Sequence, residues 1–117
     1  MNKRKLGSEK EHLAAGFLKE QGYRIITLNY YCRAGEIDII AKDGDTYCFI
    51  EVKYRKNTDE GYPEEAVDAR KAARITRSAL LYLNMCGLPD TTPCRFDVVA
   101  ILGQEIHLIR NAFDAVI

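Results

Sequence analysis

Two short strand-like runs carry charge where a strand ordinarily buries carbon. Asp38 lies within Glu36-Ile37-Asp38-Ile39-Ile40-Ala41, and Glu51 and Lys53 alternate with apolar residues in Phe49-Ile50-Glu51-Val52-Lys53. A carboxylate taken out of water without a partner is costly, so any fold open to this chain must give these acids a cation, a metal or solvent. Asp43-Gly44-Asp45 between the runs is a turn signal. If the hairpin turns on two residues, Asp43-Gly44 or Gly44-Asp45, paired positions sum to an odd number. Glu36, Asp38, Glu51 and Lys53 then share one face, and Ile37, Ile39, Ile50 and Val52 fill the other. A three-residue turn without a bulge would divide the carboxylates between faces.

The remaining pattern surrounds this hairpin with an ordinary α/β chain. Leu13, Ala14, Phe17 and Leu18 recur at helical spacing between Lys5 and Gln21, ahead of a Gly22 cap. Tyr23 to Tyr31 reads as a first strand, Glu36 to Ala41 as a second and Thr46 to Tyr54 as a third. After a polar loop, Pro63, Glu64 and Glu65 open a helix whose stripe Ala72, Ile75, Ala79, Leu83 and Cys86 runs to Gly87. Arg95 to Leu102 is a fourth strand, Gly103-Gln104 a turn, and Glu105 to Ile109 a fifth. The order αβββαββ predicts an antiparallel meander, a right-handed parallel crossover through the long helix, and a mixed sheet flanked by helices.

At 117 residues the chain suits a single domain spanning 1–117 with one modest core. Its formal charge is zero, so affinity for nucleic acid has to come from a local patch. No run approaches the ~20 apolar residues of a membrane span, and the start has no uninterrupted apolar stretch of a signal peptide. Cys32, Cys48, Cys86 and Cys94 lack metal-finger spacing and read as reduced thiols, which suits the cytoplasm.

Two carboxylates with a lysine two positions after the second form a chemical kit. Asp38 and Glu51, with the carbonyl of Val52, are the expected ligands of a divalent ion, and Lys53 the cation that orients water or offsets developing charge. Gly35-Glu36-Ile37-Asp38 followed by Phe49-Ile50-Glu51-Val52-Lys53 resembles the PD-(D/E)xK nuclease core. More closely, the chain resembles the YraN-like family of small bacterial predicted endonucleases, related to archaeal Holliday-junction resolvases. Glu11, Asn29, Lys71, Arg95-Phe96-Asp97 and Ala112-Phe113 share in that likeness. The resemblance implies a restriction-endonuclease-like core, Mg²⁺ or Mn²⁺ as cofactor, and Glu11 and Glu36 as accessory acids. By analogy with the resolvases it also implies a homodimer. Lys10 departs from the small residue expected before the helix-one glutamate; on the apolar face, its stem must snorkel or its ammonium find an acid.

Arg55, Lys71, Arg74 and Arg77 are the candidate phosphate contacts; Arg70, Lys71, Arg74 and Arg77 run along one helix without an intervening acid. Lys3, Arg4 and Lys5 read as a basic tail. Tyr30, Tyr31 and Tyr54 fit strand packing better than base stacking, and Asp97 fits a structural pairing with Arg95. Plainer readings stand beside these: a cross-strand ion pair for Asp38, Glu51 and Lys53, and a solvated face for the helix cations. The expected function is metal-dependent phosphodiester hydrolysis of DNA, including structured or branched DNA. The alternatives are a non-catalytic nucleic-acid-binding module with a nuclease-like fold and a protein-interaction domain.

Overall fold

The computed structural model describes residues 3–59, 61–62 and 67–116, with side chains from residue 9 onward. The element order is α1 (Lys3–Glu20), β1 (Arg24–Cys32), β2 (Gly35–Asp43), β3 (Thr46–Arg55), α2 (Ala69–Met85), β4 (Cys94–Leu102) and β5 (Glu105–Phe113). The five strands lie side by side in chain order, with β3 and β4 parallel and the other neighbours antiparallel. This is the expected αβββαββ mixed sheet with a restriction-endonuclease-like core. No described helix is long and apolar enough to cross a membrane.

Each helix covers one face of the sheet. Ala14, Ala15 and Leu18 of α1 pack on Ile39, Ala41, Cys48, Ile50, Val99 and Ile101. Ile75, Ala79, Tyr82 and Leu83 of α2 pack on Ile37, Ile40, Phe49 and Phe96. Phe49, Leu18 and Ile50 are fully buried, and each such side chain contributes about 1.5–3 kcal/mol by leaving water. Leu13 and Cys86 fall outside the stripes expected of them: Leu13 has turned to solvent, and Cys86 caps α2 in the open. The chain reverses after α2 because Gly87, at φ 72°, takes the left-handed turn there.

Three boundaries differ from expectation. Helix α1 already includes Lys3, Arg4 and Lys5, so the basic segment is helical backbone and no tail. Asp68 caps α2, its carboxylate accepting the Lys71 N–H at 2.9 Å, so the regular helix begins at Ala69; the start expected at Pro63, Glu64 and Glu65 lies outside the described residues. Strand β5 runs four residues further, to Phe113, because Asn111 adopts φ 53° in a bulge and pairing resumes at Phe96–Phe113.

That bulge is tied to the buried Asp97. Its carboxylate accepts the Asn111 N–H at 2.8 Å, the Tyr23 hydroxyl at 2.8 Å, and Arg95 Nε at 3.0 and 3.1 Å. Arg95 also donates to Tyr23 at 2.8 Å and to Asp43 at 2.7 Å, and Arg110 donates to the same hydroxyl at 3.2 Å. Asp97 therefore has the structural role expected of it, with partners from β5 and the α1–β1 connection besides Arg95, which in turn reaches Asp43 on β2. Asp97→Ala leaves Arg95 and the Asn111 amide short of an acceptor and should cost about 3 kcal/mol in urea unfolding; a loss below about 1 kcal/mol would contradict this account of the network.

Candidate metal centre

The hairpin turns on Gly44-Asp45, with Asp43 paired to Thr46 and Gly44 at φ 61°. Paired positions sum to an odd number through Ile39–Ile50. Beyond that pair the two strands stop exchanging ladder bonds, and the Val52 N–H is taken by Asp38 Oδ2 at 2.8 Å. The carboxylate thus replaces a backbone acceptor at the point where the sheet forks.

The fork also turns β2 over. Leu28 and Ile39 pack on the α1 side, whereas Tyr30 and Ile37, two residues away on each strand, pack on the α2 side. Between them stand Asn29, at φ 55°, and Asp38, both skipped by the pairing. Ile37 therefore parts from Ile39, Ile50 and Val52, against the expectation that all four share a face. The left-handed backbone at Asn29, which asparagine tolerates better than most residues, breaks the alternation on which that expectation rested.

Four acids gather in the gap. Oxygens of Glu11 from α1, and of Glu36 and Asp38 from β2, lie within 4.8 Å of one another. Glu51, buried on β3, faces α2; Lys71 Nζ of α2 lies 2.7 Å and Lys53 Nζ of β3 3.3 Å from its Oε1. A cavity of about 280 Å³ opens here, lined by Gly35, Glu36, Asp38, Glu51, Lys71, Arg74 and Ile75. Glu11 belongs to the cluster rather than to a surface ion pair: it is 9% exposed, and its Oε2 has no hydrogen-bond partner among the described residues. Lys10 beside it is partly exposed, and its ammonium sits 4.2 Å above the Tyr54 ring.

Burial, then the charges of Glu51, Glu11 and Glu36, push the Asp38 carboxyl up to about 8, against the opposing Val52 N–H bond. Burial and Glu36 push Glu11 to about 7, with Asn29 opposing. Burial, together with the neighbouring Lys71, lowers Lys53. Burial works in the same direction on Lys71, but the Glu51 carboxylate outweighs it and Lys71 rises. The acid side of the site thus has excess negative charge, while the two lysines are committed to Glu51. An orphaned buried oxygen among three all-oxygen donors suits a hard divalent cation. Glu11, Glu36 and Asp38 form the tightest donor group, and Glu51 adjoins it.

The other named residues divide. Lys71, a candidate phosphate contact, reaches Glu51 directly, and Arg74 lines the same cavity. Arg77 lines a groove farther along α2, and Arg55 lines a separate cavity with Lys56, Asn57 and Asp59. Tyr30 packs edge-on against Tyr82, with ring centres 5.3 Å apart, and Tyr54 lies beneath Lys10. Tyr31 departs from strand packing: it is 67% exposed, opposite Glu36 on the edge strand. Lys71 as a partner of Glu51 was not legible from spacing, because the contact depends on how α2 lies over the sheet.

The raised carboxyls carry a pH consequence. Their folded pKa values exceed those of the unfolded chain, so the folded state binds more protons between about pH 4 and 8, and stability falls as pH rises through that window. In chelator at pH 8, Asp38→Asn should therefore be more stable than wild type by on the order of 1 kcal/mol, and melt at higher temperature. The gain should vanish near pH 4. Equal melting temperatures at pH 8 would show that the acids do not repel one another as described.

The chain matches the model of the uncharacterised protein family UPF0102 over residues 10–101. It is 55% identical to a UPF0102 protein of Lachnoclostridium phytofermentans, over 98% of each chain. A relative from Syntrophus aciditrophicus is 48% identical over 92% of this chain and 87% of its own. One from Chromohalobacter salexigens is 45% identical over 96% and 93%. On this agreement along nearly its whole length, the chain belongs to the UPF0102 family, the YraN-like family that its two charged strands resemble.

Proposed function

We propose that this protein is a divalent-metal-dependent phosphodiesterase acting on DNA, with structured or branched DNA as the preferred form. The observation that carries the reading is the meeting of Glu11, Glu36, Asp38 and Glu51 with Lys53 and Lys71 at the fork between β2 and β3. Glu11, Glu36 and Asp38 would hold Mg²⁺ or Mn²⁺, with Glu51 and the Val52 carbonyl completing the donor set. When bound, the ion supplies Lewis acidity toward a phosphate oxygen and a more acidic water.

The chain's own groups have separable tasks. The Val52 N–H holds one Asp38 oxygen, which fixes the carboxylate at the cavity wall. Lys53 and Lys71 hold Glu51 in one orientation and keep two positive charges where a phosphodiester would enter. Lys53, whose proton is held less tightly than an ordinary lysine's, is the better placed to assist proton movement at the attacked phosphate. Arg74 stands at the cavity wall, where it can meet a flanking phosphate.

A second reading draws on the same ion pairs. A glutamate engaged by two lysines needs no metal, which suits a non-catalytic nucleic-acid-binding module. Labelled linear, flap and four-way DNA incubated with Mg²⁺ or Mn²⁺ separates the two. The enzyme makes new ends, and Glu51→Gln should lower the rate at least about a hundredfold while the fold persists. A folded variant with undiminished metal-dependent cleavage would remove Glu51 from the mechanism. Lys53→Met should lose about 10²-fold in kcat with little change in DNA affinity; equal losses in both would make Lys53 a phosphate anchor.

A further inference from the structure

A groove of about 650 Å³ lies along α2 next to the acid-lined cavity. The two follow one another along the chain: Gly35 and Arg74 line the cavity, and Arg33, Ala34 and Arg77, one to three residues away on the same turn and helix, line the groove. The β1–β2 turn lies against α2 there at Gly35, whose φ of 148° is what favours glycine; a Cβ on it would stand in ordinary contact with Ser78 Oγ, 3.6 Å away. Arg74, Arg77, Leu81 and Asn84 follow one another at intervals of three and four residues, so they form one stripe from cavity to groove. Arg74 to Asn84 spans about 15 Å at 1.5 Å per residue.

The groove is chemically graded along that stripe. Its near end is cationic, through Arg33 and Arg77; its floor is aliphatic, through Leu80, Leu81 and Leu88. Its far end presents Asn84 and the Asp90 carboxylate. Leu80 is 41% exposed, an apolar surface left uncovered beside the cations. Phosphates suit the arginine end and are repelled by Asp90. A flat apolar ring with donor groups on its edge suits the leucine floor and the Asn84–Asp90 end. The volume falls within the ~300–1,000 Å³ of small-molecule sites.

We propose that this groove is a subsite for one unpaired nucleotide of the DNA strand that passes the acid cluster. Arg33 and Arg77 hold its phosphates, the leucines take the face of its base, and Asn84 with Asp90 reads the base edge. At about 3.4 Å per stacked nucleotide, the base sits within about four nucleotides of the phosphate beside Asp38. The inference rests on nucleic acid being the ligand. It assigns the preference for structured DNA to this chain's own surface, because a paired base cannot enter the groove.

The test is binding in chelator, so that no cleavage intervenes. The probes are a blunt duplex and the same duplex with a single-stranded extension, the latter also carrying an abasic position moved one nucleotide at a time. Wild type should bind the extended duplex about tenfold or more tightly than the blunt one, and lose that gain when the abasic position reaches one place near the junction. Leu81→Ala and Asn84→Ala should each reduce the preference, with circular dichroism reporting an unchanged fold. A flat abasic profile overturns the subsite even where the blunt duplex is cut with Mg²⁺, so the two proposals fail separately. A lower sedimentation mass for Leu81→Ala than for wild type also overturns it, assigning the groove to self-association.

Discussion

The register of the β2–β3 hairpin governs everything at the site. Gly44 and Asp45 close it in two residues, which sets Ile39 against Ile50 and brings Asp38 level with the stretch from Glu51 to Lys53. A slip of one residue would send Glu51 and Lys53 to the α1 face, into a dry cluster of Leu18, Ile39 and Val99, and leave Asp38 without its N–H partner. The cost of burying those charges is what forbids the slip. Arg95 reinforces the register from outside, since it grips Asp43 at the start of the turn and Asp97 on β4.

The same hairpin carries an internal conflict. A continued ladder past Ile39–Ile50 would place Asp38 in a closed sheet with no room for Glu11 or for a ligand. Asn29 resolves this by taking a left-handed backbone opposite Asp38, so that β1 and β2 turn over together and the Val52 amide of β3 donates to the Asp38 carboxylate. The result is a polar fork between two hydrophobic layers. Acids enter it from α1 and β2, and cations from β3 and α2. Charge is unevenly balanced there: both lysines serve Glu51, while burial, and then the repulsion of neighbouring acids, makes Glu11 and Asp38 hold protons near neutrality.

The element order, the parallel crossover and the grouping of Asp38, Glu51 and Lys53 were legible because each rests on short-range rules: alternation, turn length and helical spacing. Glu11 at the site was legible through family likeness together with its position at the edge of the helix-one stripe. The turnover at Asn29 was not, because an asparagine between Leu28 and Tyr30 reads as one more strand residue until its partner strand is known. The Tyr23–Asp97–Arg95 network was only half legible. Asp97 in an apolar strand demanded a partner, but Tyr23 lies 74 positions away, and nothing local links the two. The place of Lys71 likewise depends on how α2 crosses β3, a tertiary relation without a local signature.

The central claim is that Glu11, Glu36 and Asp38 form a divalent-cation site that holds protons until the ion arrives. Calorimetric titration with Mn²⁺ at pH 7, repeated in buffers of different ionisation enthalpy, tests it most directly. The account predicts saturable binding with proton release, because the ion must displace protons from carboxyls titrating at about 7 and 8. Asp38→Asn should weaken that binding and reduce the protons released. No binding at millimolar Mn²⁺, or the same affinity and proton count in the variant, would contradict it.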